Sequence, residues 1–190
     1  MLISFVGSPC SGKTTTAAMA FAHLKEIGIP SEFLPEQARM FIAKLRYDRM
    51  LTASDSLQLE GKHQMEILSN QFKTEEIMSA ACGPEVVLVT DTSVLNTLLY
   101  MTEEMKKDEY IQGLVKQAVA RYDLIFYCGP VKRPWGLDPN RIHSEAESLE
   151  IDAKIPALLS EFAPGRTPVV LLGDSRTRYM EVVLKVLELS

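Results

Sequence analysis

Cysteine is scarce in this chain. Cys10, Cys82 and Cys128 are the only three in 190 residues, widely spaced and without a Cys-x-x-Cys pair. That count excludes a disulfide framework and a thiolate zinc site as organising features, and it points to a reducing cytoplasm. Long apolar runs are also missing: none approaches the roughly 18 to 20 residues that cross a bilayer, so no membrane partner is expected. The opening MLISFVGSP has no basic segment ahead of its apolar residues, so no signal peptide is expected. Nor is there an excess of basic residues. Twenty Lys and Arg against 25 Asp and Glu leave a net charge of −5, which argues against a large nucleic-acid footprint. A local basic groove stays compatible with that total.

What is present is ordinary globular composition, 46% hydrophobic and 24% charged, without repeats or low-complexity linkers. The length fits a single domain over 1–190 with a sizeable core. Short β-branched apolar runs alternate with longer helical stretches, the pattern of an α/β parallel sheet. Strands are expected over Leu2 to Val6, Ser31 to Leu34, Glu85 to Thr90, Leu124 to Cys128 and Pro168 to Leu172. Helices are expected from Lys13 to about Ile27, stopped by Gly28, and over 36–46 and 55–81. The last of these presents Leu57, Gly61, Gln64, Met65, Leu68 and Phe72 along one side. A final helix, capped by Asp174 or Ser175, shows Met180, Val183, Leu184 and Leu187 at i, i+3, i+4 and i+7, a face expected to pack on the sheet. Residues 129–143, with three prolines and two glycines, read as a long loop, and Ser144 with Glu147 forms a capping box after it. The segment 129–147 is thus a candidate lid.

The chemistry begins at Gly7-Ser8-Pro9-Cys10-Ser11-Gly12-Lys13-Thr14, which matches G-x-x-x-x-G-K-[ST] at every fixed position. It stands directly after an apolar strand and directly before a helix. Glycines let successive N–H groups turn inward onto phosphate oxygens, and the helix adds its positive N-terminus. Lys13 is expected to reach the β- and γ-phosphates of ATP, and the Thr14 hydroxyl to ligate Mg²⁺. Cys10 reads as a small filler residue rather than a nucleophile, since nothing adjacent in sequence would act as its base. The ATP-binding set is therefore Gly7, Ser8, Pro9, Cys10, Ser11, Gly12, Lys13, Thr14 and Thr15.

Two carboxylates fall where strands of an open parallel sheet end, the place chemistry gathers in such folds. Asp91, in VLVTDTS, is read as a Mg²⁺ ligand or base, with a helix cap as the plain alternative. Glu36, in LPEQAR, is read as the base for an attacking hydroxyl, with a first-turn glutamate favoured by the helix dipole as its alternative. Arg39 is one turn further on, where it either holds substrate or forms a surface ion pair. In the 129–143 loop Arg141 and Arg133 are candidate phosphate contacts, and Trp135 a latch or stacking platform; a solvated loop is the bland reading. Gln58, His63 and Gln64 lie where a helix would roof the acceptor pocket, with core or surface roles as the alternative; Gln64 is carried forward as a substrate contact. The turn Gly173 to Arg176 either touches adenine or is a simple capped turn.

GSPCSGKTT, PEQAR, QLEGKHQ, VLVTDTS and DPNRIHSE occur in that order. Over roughly 2–188 the chain resembles the AAA-type P-loop kinase domains related to the ribosylnicotinamide kinase domain of the bacterial NAD-repressor protein. The resemblance implies a P-loop three-layer sandwich with a five-stranded parallel sheet in the order 2-3-1-4-5. It implies transfer of the ATP γ-phosphate to a ribose-type hydroxyl. It places Glu36 and Arg39 on the family's Glu-x-x-Arg, Asp91 on its strand-three aspartate and Arg141 on its lid arginine. Thr92 and Ser93 follow Asp91 where an additional acid is common in the family. The expected function is therefore an ATP- and Mg²⁺-dependent kinase acting on a nucleoside-like hydroxyl. A kinase for a hydroxyl in nucleic acid, served by Lys44, Arg46, Arg49, Lys132 and Arg133, and a P-loop ATPase without an acceptor remain as alternatives.

Overall fold

A computed structural model of the chain describes residues 1–52, 55, 57, 59–131 and 143–189. Five strands, β1 (Leu2–Val6), β2 (Ser31–Leu34), β3 (Val87–Thr90), β4 (Leu124–Cys128) and β5 (Val169–Leu171), form one parallel sheet in the order β2-β3-β1-β4-β5. Eight helices accompany them among the described residues: α1 (Lys13–Glu26), α2 (Gln37–Asp48), α3 (Gly61–Ala81), α4 (Val94–Leu98), α5 (Glu103–Lys106), α6 (Glu109–Arg121), α7 (Glu145–Phe162) and α8 (Ser175–Leu189). None of the described helices is long and apolar enough to cross a membrane.

The alternation of side chains along β1 sets the layers. Leu2 and Val6 enter a core shared with α3, α4, α6 and α7, whereas Ile3 and Phe5 enter a second core shared with α1 and α8. Strands buried on both faces read as near-continuous apolar runs, which is why VVLV and LIFYC stand out in the sequence. The sheet matches the expected α/β class and strand order.

Two expectations are corrected. Helix α3 begins at Gly61, not near residue 55, so Leu57 precedes it. Glu60 and His63 form a capping box there, and the Glu60 N–H donates to His63 Nδ1 at 2.9 Å. This fixes the helix start where spacing alone suggested a longer run. In α8, Met180, Leu184 and Leu187 are exposed, and only Val183 of the expected packing face is buried. The inward stripe is Tyr179, Val182, Val183 and Val186, itself spaced i, i+3, i+4, i+7. Compact valines fit against Ala17 and Ala20 of α1, and the longer Met and Leu side chains are left outside. Helices α5 and α6 occupy the stretch before β4, where no element is assigned from the sequence.

Candidate functional site

The phosphate-binding pattern folds as a tight turn between β1 and α1. Gly12 has φ 87° and Cys10 φ 65°, so two residues of the loop adopt left-handed backbone. Such reversals turn consecutive N–H groups to the same side. The first bond into α1 runs from Thr16 N to Gly12 O at 2.9 Å. The N–H groups of Lys13, Thr14 and Thr15 therefore have no partner within the helix and face the loop mouth. Gly7 is dictated by crowding, because a Cβ there would meet Ser11 Oγ at 2.5 Å and Cys128 O at 2.6 Å. Lys13 Nζ donates to Gly7 O and Ser8 O, both at 2.8 Å, which holds the ammonium across the loop.

The outer side of the loop is gripped from three helices. Asn96 Oδ1 accepts from Gly7 N at 3.3 Å, Ser148 Oγ donates to Pro9 O at 2.6 Å, and Arg178 Nη1 donates to Ser11 O at 2.8 Å. Arg178 is 2% exposed and also donates through Nη2 to Gly129 O at 3.0 Å. None of these three was legible as a site residue, because each reaches the loop from a distant part of the chain.

At the C-terminal edge of the sheet, β2, β3 and β1 lie side by side, so the residues that follow them line up. Thr14 Oγ1 donates to Asp91 Oδ2 at 2.9 Å. Burial, then the nearby charge of Glu36, raises the Asp91 carboxyl to about 6, against the opposing pull of Thr14, Lys13 and Arg39. Asp91 is not the helix cap, since Ser93 Oγ accepts from Leu95 N at 3.2 Å and begins α4. Glu36 occupies the N-cap position of α2 but makes no capping hydrogen bond, and Arg39 Nη2 lies 3.7 Å from its Oε2.

A cavity of about 830 Å³ is lined by Pro9, Cys10 and Gly12 to Thr15 on the loop side and by Glu36, Arg39 and Arg46 along α2, while Asp91 lies behind Thr14 and is not in its lining. Gln64, Asn96, Tyr100, His143 and Glu147 add polar groups to the wall. Gln64 is 5% exposed, and His63 beside it serves the α3 cap. His143 packs its ring against Tyr100 at 5.4 Å, and burial lowers its pKa. The Gly173 to Arg176 turn is a capped turn, with Asp174 Oδ1 accepting from Arg176 N and Thr177 N. Gln58, Lys132, Arg133, Trp135 and Arg141 lie outside the described residues, as does most of the 129–147 segment.

The donor set suits Mg²⁺. Asp91 is 3% exposed and its Oδ1 has no hydrogen-bond partner among the described residues. No group of three or more His, Cys, Asp or Glu side chains that could hold a metal occurs among them. One hydroxyl and one carboxylate are what a Mg²⁺ ion needs when phosphates and water complete its shell.

A parallel sheet carrying a glycine-bearing phosphate loop at the end of β1 defines a P-loop nucleotide-binding domain. The chain belongs to the AAA domain family, whose model matches residues 2–178. No curated protein sequence matches it. Its fold resembles that of P-loop kinases of known structure. The NadR protein, solved in complex with NAD and AMP-PNP, superposes with TM-score 0.64 at 20% identity over 98% of this chain. This chain spans about half of that one, 48%. Thymidylate kinase from Ehrlichia chaffeensis superposes with TM-score 0.61 at 15% identity, covering 98% of both chains. Deoxyadenosine kinase from M. mycoides, with bound dATP, gives 0.58 at 14% identity and the same coverage.

Proposed function

We propose that this domain is an ATP-dependent kinase that phosphorylates a hydroxyl of a nucleoside-like acceptor. The observation that carries this reading is the shared cavity, with the phosphate loop on one wall and a half-buried carboxylate, Glu36, on another. A pure ATPase needs only the first wall. The structural neighbours add support, since they are kinases of nucleosides or nucleotides by name.

In this reading the loop N–H groups and Lys13 bind the β- and γ-phosphates. Glu36 accepts the proton of the acceptor hydroxyl as its oxygen forms a bond to the γ-phosphorus, and the bond from that phosphorus to the ADP oxygen breaks. Thr14 and Asp91 would hold Mg²⁺, which supplies charge neutralisation at the phosphates. Arg39, with its Nη2 3.7 Å from Glu36 Oε2, orients the acceptor beside that carboxylate. Gln64 offers an amide to the acceptor from the cavity wall.

The test is ADP release measured with and without a panel of nucleosides, ribosylnicotinamide included. At least one acceptor is expected to raise the rate well above the acceptor-free rate. Glu36→Gln is expected to lower that stimulated kcat by about 10² to 10⁴ while MgATP affinity stays within about threefold. An ADP release rate indifferent to every acceptor would leave a P-loop ATPase instead.

A further inference from the structure

Among the described residues, Arg46 is a buried cation with no anion to match it. It is 8% exposed, and it lines the cavity from the same face of α2 as Glu36 and Arg39. Of its five N–H donors, Nη1 serves Thr52 O at 2.9 Å, and Nε has no hydrogen-bond partner among the described residues. No carboxylate among them forms an ion pair with it within 4.0 Å. Asp55 senses its charge only weakly, behind the stronger hydrogen bonds that Thr52 makes to that exposed side chain. An unpaired guanidinium taken out of water is costly, and at a cavity wall an arriving anion would offset that cost.

Position gives the anion a place. Arg39, Ile42, Ala43 and Arg46 are spaced i, i+3, i+4, i+7 and all line the cavity. Ten residues separate Glu36 from Arg46, about 15 Å along a helix axis. Ile42, Leu57 and Ile67 add apolar surface to the same cavity. The cavity lining therefore combines a carboxylate and Arg39 at the start of α2, apolar side chains, and a second cation, Arg46, about two turns further along the helix.

We propose that the acceptor is itself a phosphorylated nucleoside, with its phosphate ester on Arg46 and its reacting hydroxyl at Glu36. This rests on the kinase reading above and names the substrate class for that site. A guanidinium with free donors in a fork binds phosphate oxygens in pairs, and the apolar side chains of the lining receive the flat base or sugar. The phosphate ester is supplied either by a free mononucleotide or by a residue within a strand.

The experiment compares three acceptor sets in the wild-type protein: nucleosides, their 3′- and 5′-monophosphates, and short single-stranded oligonucleotides. The expected result is that a phosphorylated acceptor exceeds its parent nucleoside in kcat/KM by about tenfold or more. Its product should carry two separate phosphomonoesters, or a monoester on the strand, and no diphosphate, as read by ³¹P NMR. Mononucleotide and oligonucleotide arms tell the two sources apart. In Arg46→Gln and Arg46→Lys the preference should shrink to within about threefold, mainly through KM; the lysine variant guards against a simple loss of fold. Nucleosides used as well as their phosphates, or a diphosphate product, overturn the assignment while leaving the kinase intact. No stimulation by any acceptor overturns the kinase reading itself, and this inference with it.

Discussion

Thr14 Oγ1 and Asp91 Oδ2 lie 2.9 Å apart, joining the first turn of α1 to the end of β3 across a sequence separation of 77. The contact brings the helix that follows the phosphate loop and the central carboxylate into one unit. It also leaves the second carboxylate oxygen buried and, among the described residues, unpaired. Geometry and charge are thus separable at this position.

Asp91→Asn should keep the Thr14 hydrogen bond, because the amide oxygen still accepts, and remove only the charge. The expected outcome is a fall of about 100-fold or more in kcat with MgATP. The thermal midpoint should be unchanged or higher, since burial already raises this carboxyl to about 6 and its ionised form is disfavoured in the fold. Steady-state kinetics with a melting curve checks both halves. Near-normal turnover in the amide variant would remove Asp91 from the metal site.

Arg178 fastens the phosphate loop and the end of β4 to α8 through Ser11 O and Gly129 O. Arg178→Met strands both carbonyls without a donor, at a cost on the order of 2 to 4 kcal/mol in stability. If the clamp also sets the loop for phosphate, MgATP affinity of the folded variant should fall about tenfold, and Arg178→Lys should recover part of it. Arg166→Met is the control, since Arg166 also donates to a backbone carbonyl, Ala120 O at 3.1 Å, and lies outside the cavity lining. Wild-type MgATP binding in the Arg178→Met variant would make the clamp structural alone.

The parts of this molecule that were legible in its sequence are those whose signal is local. The phosphate loop announces itself because eight consecutive residues must satisfy one backbone geometry, and Gly7 shows why in its clash distances. Glu36 and Asp91 were reachable because a strand's end is visible as the end of an apolar run. Arg178 and Ser148 were not, since their partners lie 167 and 139 residues away and nothing near either one marks it. Arg46 was one of five cations that could serve a nucleic-acid acceptor, and a single sequence does not show which of them a fold buries. The packing face of α8 failed for a different reason. Two apolar stripes share Val183, and only the small residues of α1 decide between them.

Glu75 gives a prediction that is independent of any ligand. It is fully buried, its Oε1 accepts from Gln71 Nε2 at 2.7 Å, and its Oε2 accepts from Tyr122 Oη at 2.9 Å. Burial lifts its carboxyl from 4.5 to about 7, and those hydrogen bonds with the Arg121 charge only partly oppose the lift. The native state therefore holds this proton more tightly than the unfolded chain. Its contribution to stability is complete below about pH 4.5, declines as pH rises through about 7, and is flat beyond. A shift of that size amounts to roughly 3 kcal/mol. Glu75→Gln keeps an acceptor for Tyr122 and abolishes the titration. Urea unfolding at pH 5, 6, 7 and 8 should show the wild type losing roughly 2 to 3 kcal/mol relative to the variant across that range. The subtraction cancels every other titrating group, Asp91 included. A difference that stays constant with pH would mean that Glu75 ionises as easily inside the fold as outside it.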